Sequence, residues 1–204
     1  MSCIYCNHYI LYRLKEGYYK CAKCKRKFSP KRLDNKAKVL HSFLQGLTAL
    51  EISKKYNFSY ATIIKEVNHI RKVIAKICED EFMKKDKIIE YSEYLYIPKT
   101  NKKNPSSIYL AQNFLTIDYG NRVYNILLSN MLNYKSFTKE EIKNLFRQSY
   151  IINIKNNITI PLFWEYFEKF ITKFKGIKEN NFFYYLKEAE FRFNKFKIEL
   201  KDIL

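Results

Sequence analysis

Acidic side chains, long apolar runs, glycine and proline are all scarce in this chain. Asp and Glu number 20 against 38 Lys and Arg, which leaves a formal charge of +18. Such an excess favours a polyanionic partner through counterion release, and nucleic acid fits better than an anionic membrane surface. No apolar run approaches the roughly 20 residues needed to cross a bilayer. The start Met1-Ser2-Cys3-Ile4 has neither the charged nor the apolar region of a signal peptide. A membrane-spanning helix is thereby excluded, and a cytoplasmic, nucleoid-associated location is expected. The chain also lacks internal repeats, heptads and low-complexity tracts. Gly and Pro occur four times each, a bias that follows AT-rich coding more than function.

What is present suffices for a core. With 47% hydrophobic and 17% aromatic residues over 204 positions, one to three compact units are expected. The positive charge is uneven: residues 1–80 hold 17 basic and 6 acidic side chains, and residues 81–204 hold 21 and 14.

In a reducing compartment cysteines tend to bind metal or do chemistry. Cys3, Cys6, Cys21 and Cys24 form two C-x2-C pairs separated by fourteen residues, the spacing with which two tight turns present four thiolates to one tetrahedral ion. Between them, Tyr9–Tyr12 and Gly17–Lys20 read as short strands around the turn Lys15-Glu16-Gly17. The pattern predicts a zinc ribbon over residues 1–32. Its Zn2+ is structural, because four thiolates leave no position open for water, and metal binding supplies much of the folding free energy of so small a module. A redox role would need a strand-to-helix setting that neither pair has. His8 reads as a surface imidazole and Cys78 as a buried or idle thiol.

A basic run follows, with Lys23, Lys25, Arg26, Lys27, Lys31 and Arg32 around an inward-facing Phe28. Residues 33–82 then read as a helix-turn-helix unit. Ala37, Val39, Leu40, Phe43 and Leu44 fall at helical spacing before a stop at Gly46. Thr48 caps a second helix that contains Lys54 and Lys55, and Asn57 supplies a left-handed turn. Ser59 opens a third, in which Ile63, Ile64, Val67, Ile70, Ile74 and Ile77 face inward. Tyr60, Thr62, Lys65, Glu66 and His69 face outward. A recognition helix enters the major groove by its N-terminal turns, so Ser59, Tyr60, Thr62, Lys65 and His69 are the expected contacts to double-stranded DNA, with Lys54, Lys55, Lys25, Arg26, Lys27, Lys31 and Arg32 at the phosphates. A plain helical hairpin with a solvated face is the alternative.

Beyond Met83 the texture changes. Lys87–Ile97 and Asn113–Met131 are rich in Ile, Leu, Tyr and Phe, with Tyr119-Gly120-Asn121 as a hairpin turn and Pro98–Ser107 as a polar basic loop. Thr138-Lys139-Glu140-Glu141 reads as a capping box opening a helix toward Tyr150. Pro161 opens another that ends at Gly176, and Asn181–Leu204 reads as one long amphipathic helix.

Phe163-Trp164-Glu165-Tyr166, Lys173–Ile177, Tyr185-Leu186-Lys187-Glu188 and Phe191-Arg192-Phe193-Asn194 resemble, in order and spacing, the closing helices of bacterial DDE-class insertion-sequence transposases of the ISXO-like group. That family carries a zinc ribbon and helix-turn-helix ahead of its catalytic core. The resemblance implies an α+β chain whose residues 83–204 form a truncated RNase H-like mixed sheet with C-terminal helices. It also implies strand transfer by three carboxylates holding two Mg2+ ions. This sequence departs from that pattern. Glu90-Tyr91-Ser92-Glu93 places Ser92 where the first aspartate belongs, Ile160-Pro161-Leu162 precedes Phe163 where the last acid belongs, and no Asp lies between Met131 and Phe163. Asp118, Glu90, Glu93 and Glu165 read as surface charges and Trp164 as a core anchor. No catalytic residue is therefore assigned. The expected function is DNA binding by a transposase-derived protein that has lost its chemistry, with a homodimer allowed. An active transposase, which would need Mg2+, and a protein- or RNA-binding scaffold are the rivals.

Overall fold

The computed structural model describes residues 1–97, 111–128 and 158–204. The loop Pro98–Ser107, the capping box at Thr138 and its helix toward Tyr150 lie outside them. The chain is mixed α+β, with two three-stranded antiparallel sheets and five α-helices among the described residues. It divides into two compact units, residues 1–73 with 197–204, and residues 74–196.

The first unit begins with β1 (Leu11–Arg13), β2 (Tyr19–Cys21) and β3 (Lys27–Phe28), in the order β1-β2-β3. A 3-10 turn at Lys15–Gly17 joins the first two strands, with Glu16 at φ 58° and Gly17 at φ 74°. Three strands this short bury little. Their core is Cys3, Cys21 and Phe28, with Leu33 of the first helix packed against it.

Helix α1 (Pro30–Leu44) follows Ser29, with Pro30 in its first turn, where the missing N–H costs nothing. It stops by a Schellman arrangement at Gly46 (φ 87°): the Gly46 N–H bonds the Phe43 carbonyl and the Leu47 N–H that of Ser42. Helix α2 (Ala49–Tyr56) opens with a complete capping box between Thr48 and Glu51. It ends at Asn57 in the left-handed region (φ 52°). Helix α3 (Tyr60–Met83) starts where the Ser59 carbonyl accepts the N–H groups of Thr62 and Ile63. Along its inward stripe Ile63, Val67, Ile70 and Ile74 are buried, whereas Ile64 and Ile77 are half-buried. Val39, Leu40, Phe43 and Ile52 are buried on the first two helices, and the Ser42 and Tyr56 hydroxyls bond at 3.1 Å.

The second unit contains the antiparallel sheet β4 (Glu90–Tyr96), β5 (Gln112–Asp118) and β6 (Val123–Leu127), in sequence order. Helices α4 (Thr159–Ile171) and α5 (Glu179–Phe193) pack on it through an aromatic core of Tyr96, Phe114, Phe163, Phe167, Phe170 and Phe182. No parallel strand occurs among the described residues, where a mixed sheet was expected.

Two sequence expectations need correction. The last helix ends at Phe193 and does not run to Leu204. Asn194 turns its side chain onto the backbone of β6, accepting from the Val123 N–H at 2.9 Å and donating to the Val123 carbonyl at 2.7 Å. Lys195 then takes a left-handed φ of 55°. A separate 3-10 turn at Leu200–Ile203 closes the chain. Asp118, expected at the surface, is 2% exposed. Its Oδ1 accepts the N–H groups of Gly120 and Asn121 at 2.9 and 3.1 Å, so this carboxylate organises the β5–β6 turn.

Candidate metal centre and basic surface

The two C-x2-C pairs fold as near copies of one another. In each, the residue after the second cysteine has a left-handed backbone: Asn7 at φ 56° and Lys25 at φ 59°. In each, that residue's N–H bonds the first cysteine's carbonyl, Asn7 to Cys3 at 2.8 Å and Lys25 to Cys21 at 3.1 Å. The first cysteine's own N–H then reaches the next carbonyl along, Cys3 to His8 and Cys21 to Arg26. These are two knuckles facing each other.

The knuckles bring the four thiol sulfurs within 4.8 Å of one another, with Cys3–Cys24 and Cys6–Cys21 at 3.6 Å. A tetrahedral ion with bonds of about 2.3 Å to sulfur needs sulfurs about 3.8 Å apart. The residues therefore fit a metal ion such as zinc. No disulfide joins them. Among the described residues they are the one group of three or more His, Cys, Asp and Glu side chains so gathered.

The thiols are electrostatically unequal. Burial is the largest influence on Cys21 and raises it, but the backbone N–H groups of Cys24 and Lys23 and the neighbouring thiols outweigh it, so Cys21 is pushed down to about 6. For Cys24 the backbone contact from Arg26 is the largest influence and lowers it, yet burial and the other three thiols carry it up to about 11. A bound cation would hold all four as thiolates.

Every cation of the expected basic run is exposed: Lys23, Lys25, Arg26, Lys27, Lys31 and Arg32. Arg26 lies over the Tyr5 ring at 4.9 Å and Arg32 over that of Tyr18 at 5.6 Å, which preorganises both guanidinium groups. Lys54 and Lys55 are exposed on α2, as are Ser59, Tyr60, Thr62 and Lys65 at the start of α3. All belong to the first unit. His69 is placed differently from the others. Its Nε2 lies 3.1 Å from the Ile203 carbonyl, which Lys36 also approaches at 3.5 Å, and Lys36 pairs with Glu66.

Sequence reasoning missed a buried polar network in the second unit. The Lys187 ammonium and Glu190 carboxylate, 1% and 0% exposed, pair at 2.9 Å. Glu190 also accepts the backbone and side-chain N–H groups of Asn125 at 2.8 and 2.9 Å. Asn125 in turn accepts from Thr116 at 2.7 Å, and Thr116 from the Trp164 indole at 2.9 Å. Lys187 sits over the Tyr124 ring at 3.5 Å. Burial raises the Glu190 carboxyl above its ordinary value against the opposing pull of Lys187 and Asn125. Nearby, the Cys78 thiol is buried and pushed far up by that burial.

Among the described residues no three carboxylates gather into a group that could hold a metal ion. Glu90 and Asp118 are cross-strand partners on β4 and β5, Glu93 is bonded by the Asn113 amide, and Glu165 is exposed and paired with Lys169 at 2.6 Å. Ser92, Thr116 and Asn125 form one buried row across the sheet. Against known proteins, the chain matches no family model, no curated protein and no solved structure.

Proposed function

We propose that this chain is a zinc-stabilised, transposase-derived protein that binds double-stranded DNA and does no strand-transfer chemistry. The observation that carries it is the division of α3: Ile63, Val67 and Ile70 are buried, while Ser59, Tyr60, Thr62 and Lys65 are exposed at its start. An α2–turn–α3 pair with Asn57 in the left-handed region is what a helix-turn-helix requires, and its recognition helix would present those side chains to the major groove. The basic run after the second knuckle supplies phosphate contacts, and the formal charge of +18 supplies the long-range attraction. Four thiolates at tetrahedral spacing favour a structural Zn2+.

The second unit supports the loss of chemistry. A two-metal site needs converging carboxylates. Here the row Ser92–Thr116–Asn125 is neutral, and the carboxylate that reaches it, Glu190, is paired with Lys187.

Duplex binding at stepped salt concentrations tests the reading. If six of the cations named touch phosphates, affinity should fall about a thousandfold between 50 and 200 mM salt. Absence of duplex binding at low salt would overturn the proposal. So would nicking or strand transfer with Mg2+ or Mn2+ that Glu90 and Glu93 substitutions abolish.

A further inference from the structure

Cross-strand neighbours point to the same face of a sheet. The register of the first sheet places Tyr12 opposite Lys20, and Lys20 opposite Lys27. The other face is the inward one, where Leu11 pairs with Cys21 and Tyr19 with Phe28. Tyr12, Lys20 and Lys27 thus form a single row on the outer face. Tyr12 is 55% exposed and makes no ring contact among the described residues. Ile10 bonds to Ala22 beyond the end of the ladder and continues this face, 44% exposed.

Two features of this row are unfavourable for a face meant only for water. Like charges directly opposite on neighbouring strands are destabilising, and neither Lys20 nor Lys27 has an acidic partner among the described residues. An exposed tyrosine on so small a sheet adds no core. A polyanion with accessible ring faces would turn both into contacts, the ammonium groups meeting phosphates and the ring meeting a base. Duplex DNA hides its base faces in the stack, so the tyrosine would gain nothing from it.

We propose that the outer face of the β1–β2–β3 sheet binds single-stranded DNA, with Tyr12 stacking on an unpaired base and Lys20 and Lys27 holding the flanking phosphates. This rests on the nucleic-acid reading of the charge but not on the α3 contacts with duplex.

The test uses the full metal-loaded chain and fluorescence anisotropy with (dT)20, a 20-base-pair duplex and (rU)20. Tyr12→Ala should weaken (dT)20 binding about tenfold and change duplex binding less than twofold, while Tyr12→Phe, which keeps the ring, should bind (dT)20 like the native chain. Lys20→Gln with Lys27→Gln should reduce the salt slope on (dT)20 by about 1.4. Lys65→Ala should show the reverse selectivity, weakening duplex and sparing (dT)20. If Tyr12→Ala loses metal, Lys20→Gln, which lies outside the run assigned to duplex phosphates, carries the test by lowering the salt slope on (dT)20 by about 0.7 and leaving that on duplex unchanged. The proposal fails if (dT)20 does not bind at low salt, if (rU)20 binds more tightly, or if Tyr12→Ala with metal retained leaves (dT)20 affinity unchanged. Loss of duplex binding alone, with (dT)20 retained, would instead strike the helix-turn-helix reading.

Discussion

Replacing Lys187 with methionine should be among the most damaging single changes in the second unit, and its cost should depend on pH. The ammonium and the Glu190 carboxylate are essentially without solvent contact, so removing the cation leaves a buried charge held chiefly by the two Asn125 donors. Breaking such a pair from one side costs about 3–5 kcal/mol. The carboxyl can escape part of that cost by taking up a proton. Burial already raises it above its ordinary 4.5, and Lys187 is the main opposing influence. Without Lys187 the folded form therefore holds a proton that the unfolded chain releases. A folded-state value raised in this way gives stability that is fully present below 4.5 and lost as pH rises toward the raised value, by at most about 1.4 kcal/mol per pH unit. The deficit of Lys187→Met should thus be large at pH 7 and shrink toward pH 5. Urea titration followed by the fluorescence of Trp164, the single tryptophan, reads this directly, since its indole bonds Thr116 in the same network. The double variant Lys187→Met with Glu190→Leu should cost less than the single one, leaving about 1–3 kcal/mol for the unpaired Asn125 donors. A single-variant cost below about 1 kcal/mol, or one independent of pH, would refute the reasoning.

Removing the metal with a strong chelator, or substituting Cys21→Ser, should unfold the strands around Phe28, because about thirty residues cannot hold a core unaided; loss of amide protection from hydrogen exchange over residues 1–28, with α2 still protected, is the expected result. Lys25→Gly should stabilise the metal-bound form by about 1 kcal/mol, since Lys25 sits at φ 59°, where a side chain is strained and glycine is not; metal-release midpoints in a chelator titration measure it. Tyr119→Phe should raise the urea midpoint of the second unit, because the Tyr119 hydroxyl is buried with no hydrogen-bond partner among the described residues and an unsatisfied group of this kind costs about 1–3 kcal/mol. Lys65→Ala should weaken duplex binding by unequal factors on different sequences, and an equal loss on all of them would make Lys65 a phosphate contact.

The contrast between the two units is one of range. Cysteine spacing, the Thr48 cap, Gly46 and Asn57 act over three to five residues, and the turn or cap each predicts is present at that position. The cysteine cluster is the same kind of signal, because each knuckle is closed by backbone hydrogen bonds within six residues. Lys187 and Glu190 are also close in sequence, but what keeps them inside is Asn125 on β6, and that pairing spans 65 residues. No periodicity announces it. Nothing in the string marks Lys187 as different from the chain's other lysines. The end of α5 shows the same limit: an amphipathic pattern continues past Asn194, yet Asn194 spends its amide on Val123, 71 residues earlier, and the helix stops.

Asp118 was legible in the wrong direction for the same reason. A carboxylate beside Gly120-Asn121 reads as a turn residue, and turns are usually wet. Here the turn is closed by Asp118 itself, whose two N–H partners supply a reason for burial that its charge alone would oppose. The consequence bears on chemistry. The Oδ1 of Asp118 is committed to Gly120 and Asn121, so the acid of β5 best placed by burial serves the turn first. Glu190, held by Lys187 and Asn125, and Glu188, paired with Arg192 at 2.9 Å, are committed in the same way, so the described buried acids of the second unit fasten the fold.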